Sequence, residues 1–359
     1  MNELAQIRTI AKLEIGRAFF SRRALWVYLL ALFPAMIFIG HGVSVRYSMQ
    51  RWNARGATPA NLLEGFANGT SPEEVLEKAG QPVVDRKWNR RRNRKESEDL
   101  EDVSRRTISF FDGKRLTQFD FEDGKLTRTN RRPLLTFDED RAAFAAVFQY
   151  FYLRLAIFFG CLGIFINLFR GEMLDKSLHF WFLAPVRREI LLLGKYCAGL
   201  IASVVIFGTG ALIAFTAMLA FQDKAEMWSY WQTDGAYHLT WYVLAAALGC
   251  IGYGSVFVAA GLLLRNPIIP AVVMLLWESI NGFLPSVLQK LSVLHYLQSI
   301  CPVAAPMDAN FSPALRMLLS PAAPSPAWQS IVGLLCVTVL VLFVASRAVR
   351  RLEINYGTE

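Results

Sequence analysis

Apolar residues in this chain gather in long stretches without charge, not in the short periodic patches of a soluble core. Residues 24–45, 155–169, 196–222, 235–264, 266–277 and 317–346 contain no Asp, Glu, Lys or Arg. A hydrocarbon layer of ~30 Å takes ~20 helical residues to cross, and most of these stretches reach that length. They predict spans at about 24–43, 149–169, 196–221, 240–264, 267–284 and 327–346. The predicted fold class is an all-α polytopic membrane protein with six transmembrane helices and a small α+β external domain inserted between spans one and two.

The interval 44–148 has the pattern of that inserted domain. Ser71-Pro72-Glu73-Glu74 is a helix start, with Ser71 as cap, Pro72 in the first turn and Glu74 placed for a capping box. Gly80 would end this helix. Thr107–Phe111, Leu116–Phe121 and Leu126–Thr129 are strand-like, and Asp112-Gly113 and Asp123-Gly124 between them are strong hairpin signals. A three-stranded meander is predicted. The run Trp88-Asn89-Arg90-Arg91-Arg92-Asn93-Arg94-Lys95, followed by Glu96-Ser97-Glu98-Asp99, is expected to be a solvated, self-compensating linker.

Charge then orients the spans. The formal net charge is +9, but 20 of the 38 Lys and Arg lie in residues 46–141 beside 17 Asp and Glu, so no nucleic-acid face is expected. Of the remaining basic residues, 14 fall in the N-terminus, the 170–195 loop, Arg265 and the tail after Ser346. Only Lys224, Lys290 and Arg316 fall in the other short loops. By the positive-inside rule both termini are cytoplasmic and 44–148 is external. Residues 1–23 then form a cytoplasmic interfacial helix, with Leu4, Ile7, Ala11, Ile15 and Ala18 as a narrow apolar stripe bordered by Arg8 and Glu14. Residues 149–346 hold spans two to six, and 347–359 form a cytoplasmic tail. Arg22-Arg23 before an apolar run resembles an export signal, but no small-residue cleavage site follows, so a retained helix is expected. Cys161, Cys197, Cys250 and Cys336 sit in apolar runs and Cys301 in a loop, which argues against a disulfide framework.

Catalytic chemistry is not apparent. His41, His179, His238 and His295 show no zinc spacing, and Gly194-Lys195-Tyr196 has neither the earlier glycine nor the Ser or Thr of a phosphate loop. No cofactor or metal is expected on this chain, and no enzyme activity.

Residues 170–195 are the most informative stretch. They form a cytoplasmic loop that reads as a short amphipathic helix, a break at Pro185, and a second helix from near Arg187. Leu174, Leu178 and Trp181 share a face, while Glu172, Asp175, Lys176 and His179 can face water. This loop resembles that of type-2 ABC exporter permeases: an acidic residue, a short helix ending in Leu, then Pro, a basic residue, an apolar pair, and Gly-Lys entering the third span. Glu172, Ser177-Leu178, Pro185, Arg188, Ile190-Leu191 and Gly194-Lys195 stand at the matching places, with Ser177 where the family often has Thr. The charged helix before span one, the six spans and the Arg-rich tail are also similar, and the long insertion resembles members with an extended first external loop. The resemblance implies a permease in the inner (plasma) membrane that pairs with a second permease subunit. ATP and Mg would be bound by a separate ABC ATPase (nucleotide-binding) subunit, whose cleft would receive the 172–182 coupling helix. Glu172, Asp175, Lys176, Ser177, Leu178, Pro185, Arg188, Gly194 and Lys195 are the coupling residues so implied. The alternative is a membrane-bound enzyme or assembly factor acting through its external domain.

Two ionisable residues fall inside predicted spans. Glu278 is ~20 Å of helix from Arg265, and Arg154 ~24 Å from Arg170, so the two can share a depth. A lone charge at mid-membrane costs about 2.5–3.5 kcal/mol on insertion scales, which favours pairing or a wet path. Arg154, Glu278 and Asn281 are therefore candidate translocation-path residues. Otherwise Arg154 snorkels outward and Glu278 ends span five early. Gly282, Pro285, Pro302, Pro306, Pro321, Pro324 and Pro326 break the 282–326 region, where Val293–Ile300 suits a short external or re-entrant helix. Phe148, Tyr150, Phe151, Tyr152, Phe158 and Phe159 are expected to be lipid-facing and packing surface. Trp228, Tyr230, Trp231, Tyr237, Trp241 and Tyr242 fit an outer aromatic belt.

Overall fold

A computed structural model describes residues 3–20, 24–54, 56–91, 102–113, 115–134, 136–166, 168–169, 171, 181, 183, 186–264, 268–281, 284, 286–306 and 325–350. In chain order these form α1 (Glu3–Phe20), α2 (Ala24–Asn53), α3 (Pro72–Ala79) and strands β1 (Val84–Arg91), β2 (Asp102–Phe111), β3 (Arg115–Glu122) and β4 (Lys125–Pro133). Then follow α4 (Phe137–Phe165), α5 (Arg188–Leu219) and α6 (Lys224–Leu263). Last come α7 (Ile268–Ile280), α8 (Ser286–Gln289), α9 (Val293–Ile300) and α10 (Ala327–Arg350). Two compact units result, residues 1–39 with 141–359, and residues 40–140.

Among the described residues five helices, α2, α4, α5, α6 and α10, are long and apolar enough to cross a membrane, and α7 is apolar but shorter. Several outrun the charge-free stretches that announced them. α2 continues to Asn53 and α4 begins at Phe137, because helical hydrogen bonding does not require apolar side chains. Asp138, Glu139 and Asp140 lie in the first turn of α4, where acidic groups favour the helix dipole.

α6 is the centre of the helical unit: 72% of its most apolar window is buried, against 17% for α10. Aromatic rings fill the space between α4, α5 and α6. Phe148 lies 4.6 Å and Phe144 5.0 Å from Tyr242, centroid to centroid. The Tyr152 hydroxyl donates to the Phe207 carbonyl at 2.6 Å. Thus Phe148, Tyr152 and Phe158 are packing residues, whereas Phe159 is exposed. Tyr242 leaves the proposed aromatic belt for the core, while Trp228 and Tyr237 remain exposed.

In the second unit the sheet has four antiparallel strands in the order β1-β2-β3-β4. The strand missing from the three-stranded expectation is β1. Residues 84–91 pair along their whole length with β2, so the expected linker, which starts at Trp88, begins as strand. The two strands are also tied by side chains: Arg106 of β2 makes two hydrogen bonds to Asp85 of β1 at 3.0 and 2.7 Å. The turn Asp123-Gly124 has φ of 51° and 72°, the all-positive geometry that suits a two-residue hairpin. Ile108, Phe110, Phe119, Phe121 and Leu126 form one core with Leu63 and with Val75 and Ala79 of α3. α3 starts and stops where its sequence signals stand. Ser71 accepts a hydrogen bond from the Glu74 amide at 3.3 Å, and Gly80, at φ 80°, donates to the Leu76 carbonyl.

Candidate functional site

Two places in the helical unit bring buried charge together with several elements. The first is the beginning of α5. Lys195 is completely buried there, and its Nζ lies 3.0 Å from Oε1 of Glu14 on α1, whose side chain is 4% exposed. The ammonium also stands 5.1 Å from the centroid of the Trp181 ring and 5.6 Å from that of Phe169. Arg17 approaches the same carboxylate at 3.5 Å. One residue earlier, a Cβ on Gly194 would stand 2.8 Å from Ile10 Cβ. Only glycine lets α1 lie this close to α5. Ile10, Ile190 and Leu191 form the apolar floor, joined by Ile7, Trp181 and Val186.

On α1, Ile10, Ala11 and Glu14 are buried, while Leu4, Leu13 and Phe20 are the exposed large apolar residues. Around the joint, Arg187 pairs with Glu3 at 3.0 Å and Arg188 Nη1 donates to the Arg350 carbonyl at 3.2 Å. Glu189 pairs with the Arg350 side chain. The first turn of α5 thus collects the start of α1 and the end of α10. The exposed pairs are worth little singly. The buried one is different: removing one partner takes a charge-charge contact out of a place shielded from water.

Of the residues singled out on the loop, Glu172, Asp175, Lys176, Ser177, Leu178 and Pro185 lie outside the described residues. Gly194 and Lys195 are brought together with α1, and Arg188 with the end of α10. The pairing of Glu14 with Lys195 was not anticipated, although a signal existed in a carboxylate flanked by Ile7, Ile10, Ala11 and Ile15 on one helix face.

The second place is the gap between α7 and α9. Glu278, 2% exposed, accepts hydrogen bonds from the Ser292 hydroxyl, the Val293 amide at 3.0 Å and the Leu294 amide at 3.5 Å. Ser292 in turn accepts from the His295 amide at 3.1 Å. The carboxylate therefore caps the N-terminus of α9, where unpaired amides and the helix dipole both favour an anion. Among the described residues no ion pair joins Glu278 to Arg154, which acts on it only at Coulombic range. α7 does end two residues after Glu278, in keeping with an early stop. Asn281 is buried, and its Oδ1 has no partner among the described residues.

α9 is set deep in the unit. A Cβ on Gly252, in the middle of α6, would lie 2.8 Å from Val293 Cγ1 and 2.9 Å from Leu334 Cδ1 of α10. The backbone at the start of α9 is thus surrounded by side chains, and its donors have to be satisfied from within the chain. Further along, Gln149 of α4 donates to the Val303 carbonyl at 2.7 Å, and Ser325 donates from its amide to Ser299 Oγ at 3.2 Å. Compared with protein-family models and with curated proteins, the chain matches none.

Proposed function

We propose that this chain is the permease subunit of an ATP-driven exporter of the type-2 ABC class, embedded in a bacterial-type inner membrane. ATP is hydrolysed on a separate ABC ATPase subunit, which engages the 172–182 segment, and a second permease subunit completes the pathway. The observation that carries this reading is the joint at Lys195. In the loop motif Gly194-Lys195 stands last, and here these two residues fasten α1, the loop residue Trp181 and a long apolar helix to one another. A loop joined rigidly to a span and to an interfacial helix suits force transmission; a mere corner between spans needs no such buried charge.

Six crossings follow when α7 and α9 are taken together. α7 rises about 20 Å from its start, and α9, capped by Glu278, continues beside the middle of α6. The fifth crossing in chain order is then a broken one, with the amides at the start of α9 met by Glu278 and Ser292. The basic residues put both termini and residues 170–195 in the cytoplasm and the sheet unit outside.

The deciding experiment is affinity purification of the full chain from its own cells, in detergent or nanodiscs, with any co-purifying ABC ATPase scored by mass spectrometry. Stoichiometric recovery of the ATPase, lost when Glu172 and residues 175–178 are replaced, supports the reading. Failure of the wild-type chain to retain any ATPase removes it.

A further inference from the structure

We infer that Glu14 and Lys195 are positioning residues that make α1 part of the moving body, so that displacement of the 170–187 loop is delivered to α1 and α5 together. The inference rests on the exporter reading and adds to it the route by which motion leaves the loop. Lys195 cannot touch a partner subunit, because its side chain is completely buried. Whatever it does in coupling, it does through its neighbours. Among those neighbours are Glu14 from α1, Trp181 from the loop and Phe169 from the end of the preceding helical stretch.

The chemistry of the contact suits a rigid link. An ammonium and a carboxylate at 3.0 Å, both shut off from water, are screened far less than an exposed pair. Breaking such a pair in a buried place is costly. The missing side chain at Gly194 lets Ile10 close the gap beside them, which removes the play that a larger residue would impose. By contrast, the exposed Arg187–Glu3 pair at 3.0 Å can open and re-form in water at little cost. The position of α1 is therefore set at Glu14, Ile10 and Gly194 and only trimmed at Glu3.

The test uses the full chain with its ATPase in inside-out vesicles. A reporter cysteine replaces Leu13, which is 61% exposed on α1. Labelling by a membrane-impermeant maleimide is timed with and without ATP and vanadate. In the otherwise wild-type chain, trapping should change the labelling rate several-fold. Glu14→Gln and Lys195→Met should each abolish that change while the ATPase still co-purifies and hydrolyses ATP. The charge exchange Glu14→Lys with Lys195→Glu should restore it. A pair with a merely structural role would raise labelling in both states and leave the ATP-dependent change in place, and that result overturns the inference alone. Loss of the ATPase from the wild-type chain overturns the exporter reading and this inference with it. Should the single-charge variants fail to accumulate, Ile10→Ala, which loosens the same contact without removing a charge, must show the reduced response.

Discussion

Lys195 and Glu278 show how differently a buried charge can be used within one helical unit. Lys195 is held by a counter-ion and two aromatic rings. Glu278 is held by a hydroxyl and two backbone amides. Glu278→Ala would leave the Ser292 hydroxyl and two amides of α9 without an acceptor, at about 1–3 kcal/mol for each donor left unmet. Glu278→Gln keeps one acceptor oxygen and should cost less. Thermal unfolding of the purified chain in detergent checks the order: wild type above Gln, Gln above Ala. If Glu278 served only to line an open path, Ala would melt with the wild type. Gly194 offers the complementary steric test. With the Cβ position 2.8 Å from Ile10, Gly194→Val should displace α1 at a cost of about 1–3 kcal/mol for overpacking. The accompanying sign would be faster proteolysis within residues 3–20, whereas substitution of the exposed Gly16, which has open space around it, should leave cleavage unchanged.

At the scale of elements, the sheet unit combines an aromatic core with several ion pairs, of which Arg106–Asp85 responds to pH. The Arg106 guanidinium, by hydrogen bonding, holds the Asp85 carboxyl below its ordinary value of 3.8. A carboxyl whose folded pKa is depressed contributes stability that is fully present above the unfolded pKa and is lost as pH falls through the folded one. Pepsin cleavage within 84–111 should therefore rise as the pH is lowered below about 4, and Asp85→Asn should flatten that rise. Phe119→Ala, in the middle of the core, should open the whole sheet unit by about 3–5 kcal/mol at any pH. Which of these elements were legible depended on the kind of signal. α3 was readable because Ser71, Pro72 and Gly80 act locally, through caps that need no distant partner. β2, β3 and β4 were readable from alternation and from Asp-Gly turns. β1 was not, because Val84–Arg91 carries five charged residues and its strand identity comes from pairing with β2, a long-range fact. The long spans were readable from absence of charge alone. The α7–α9 break was half legible: the prolines and Gly282 announced irregular chain, but only the fold brings Ser292 to Glu278.

At the scale of the molecule, the open matter is which side of the membrane each unit faces, and charge gives a definite expectation. Fourteen basic residues flank the ends assigned to the cytoplasm and three the opposite ends, a bias that sets orientation for short loops and leaves long segments to follow. The buried joint strengthens the constraint, since α1, the start of α5 and the end of α10 meet in one place and must lie on the same side. A cysteine at Ser177 and one at Arg128, an exposed position on β4, should thus be labelled from opposite faces. In intact cells an impermeant maleimide should reach Arg128→Cys and spare Ser177→Cys; in inside-out vesicles the pattern should reverse. An inverted result would place the loop outside, away from any ATP-hydrolysing partner, and the exporter reading would fall. Labelling of both positions from the same face would instead mean an even number of crossings between Arg128 and Ser177, so that α4 does not cross the membrane. The sheet unit would then share a side with the joint, and the positive-inside count would lose its force for this chain.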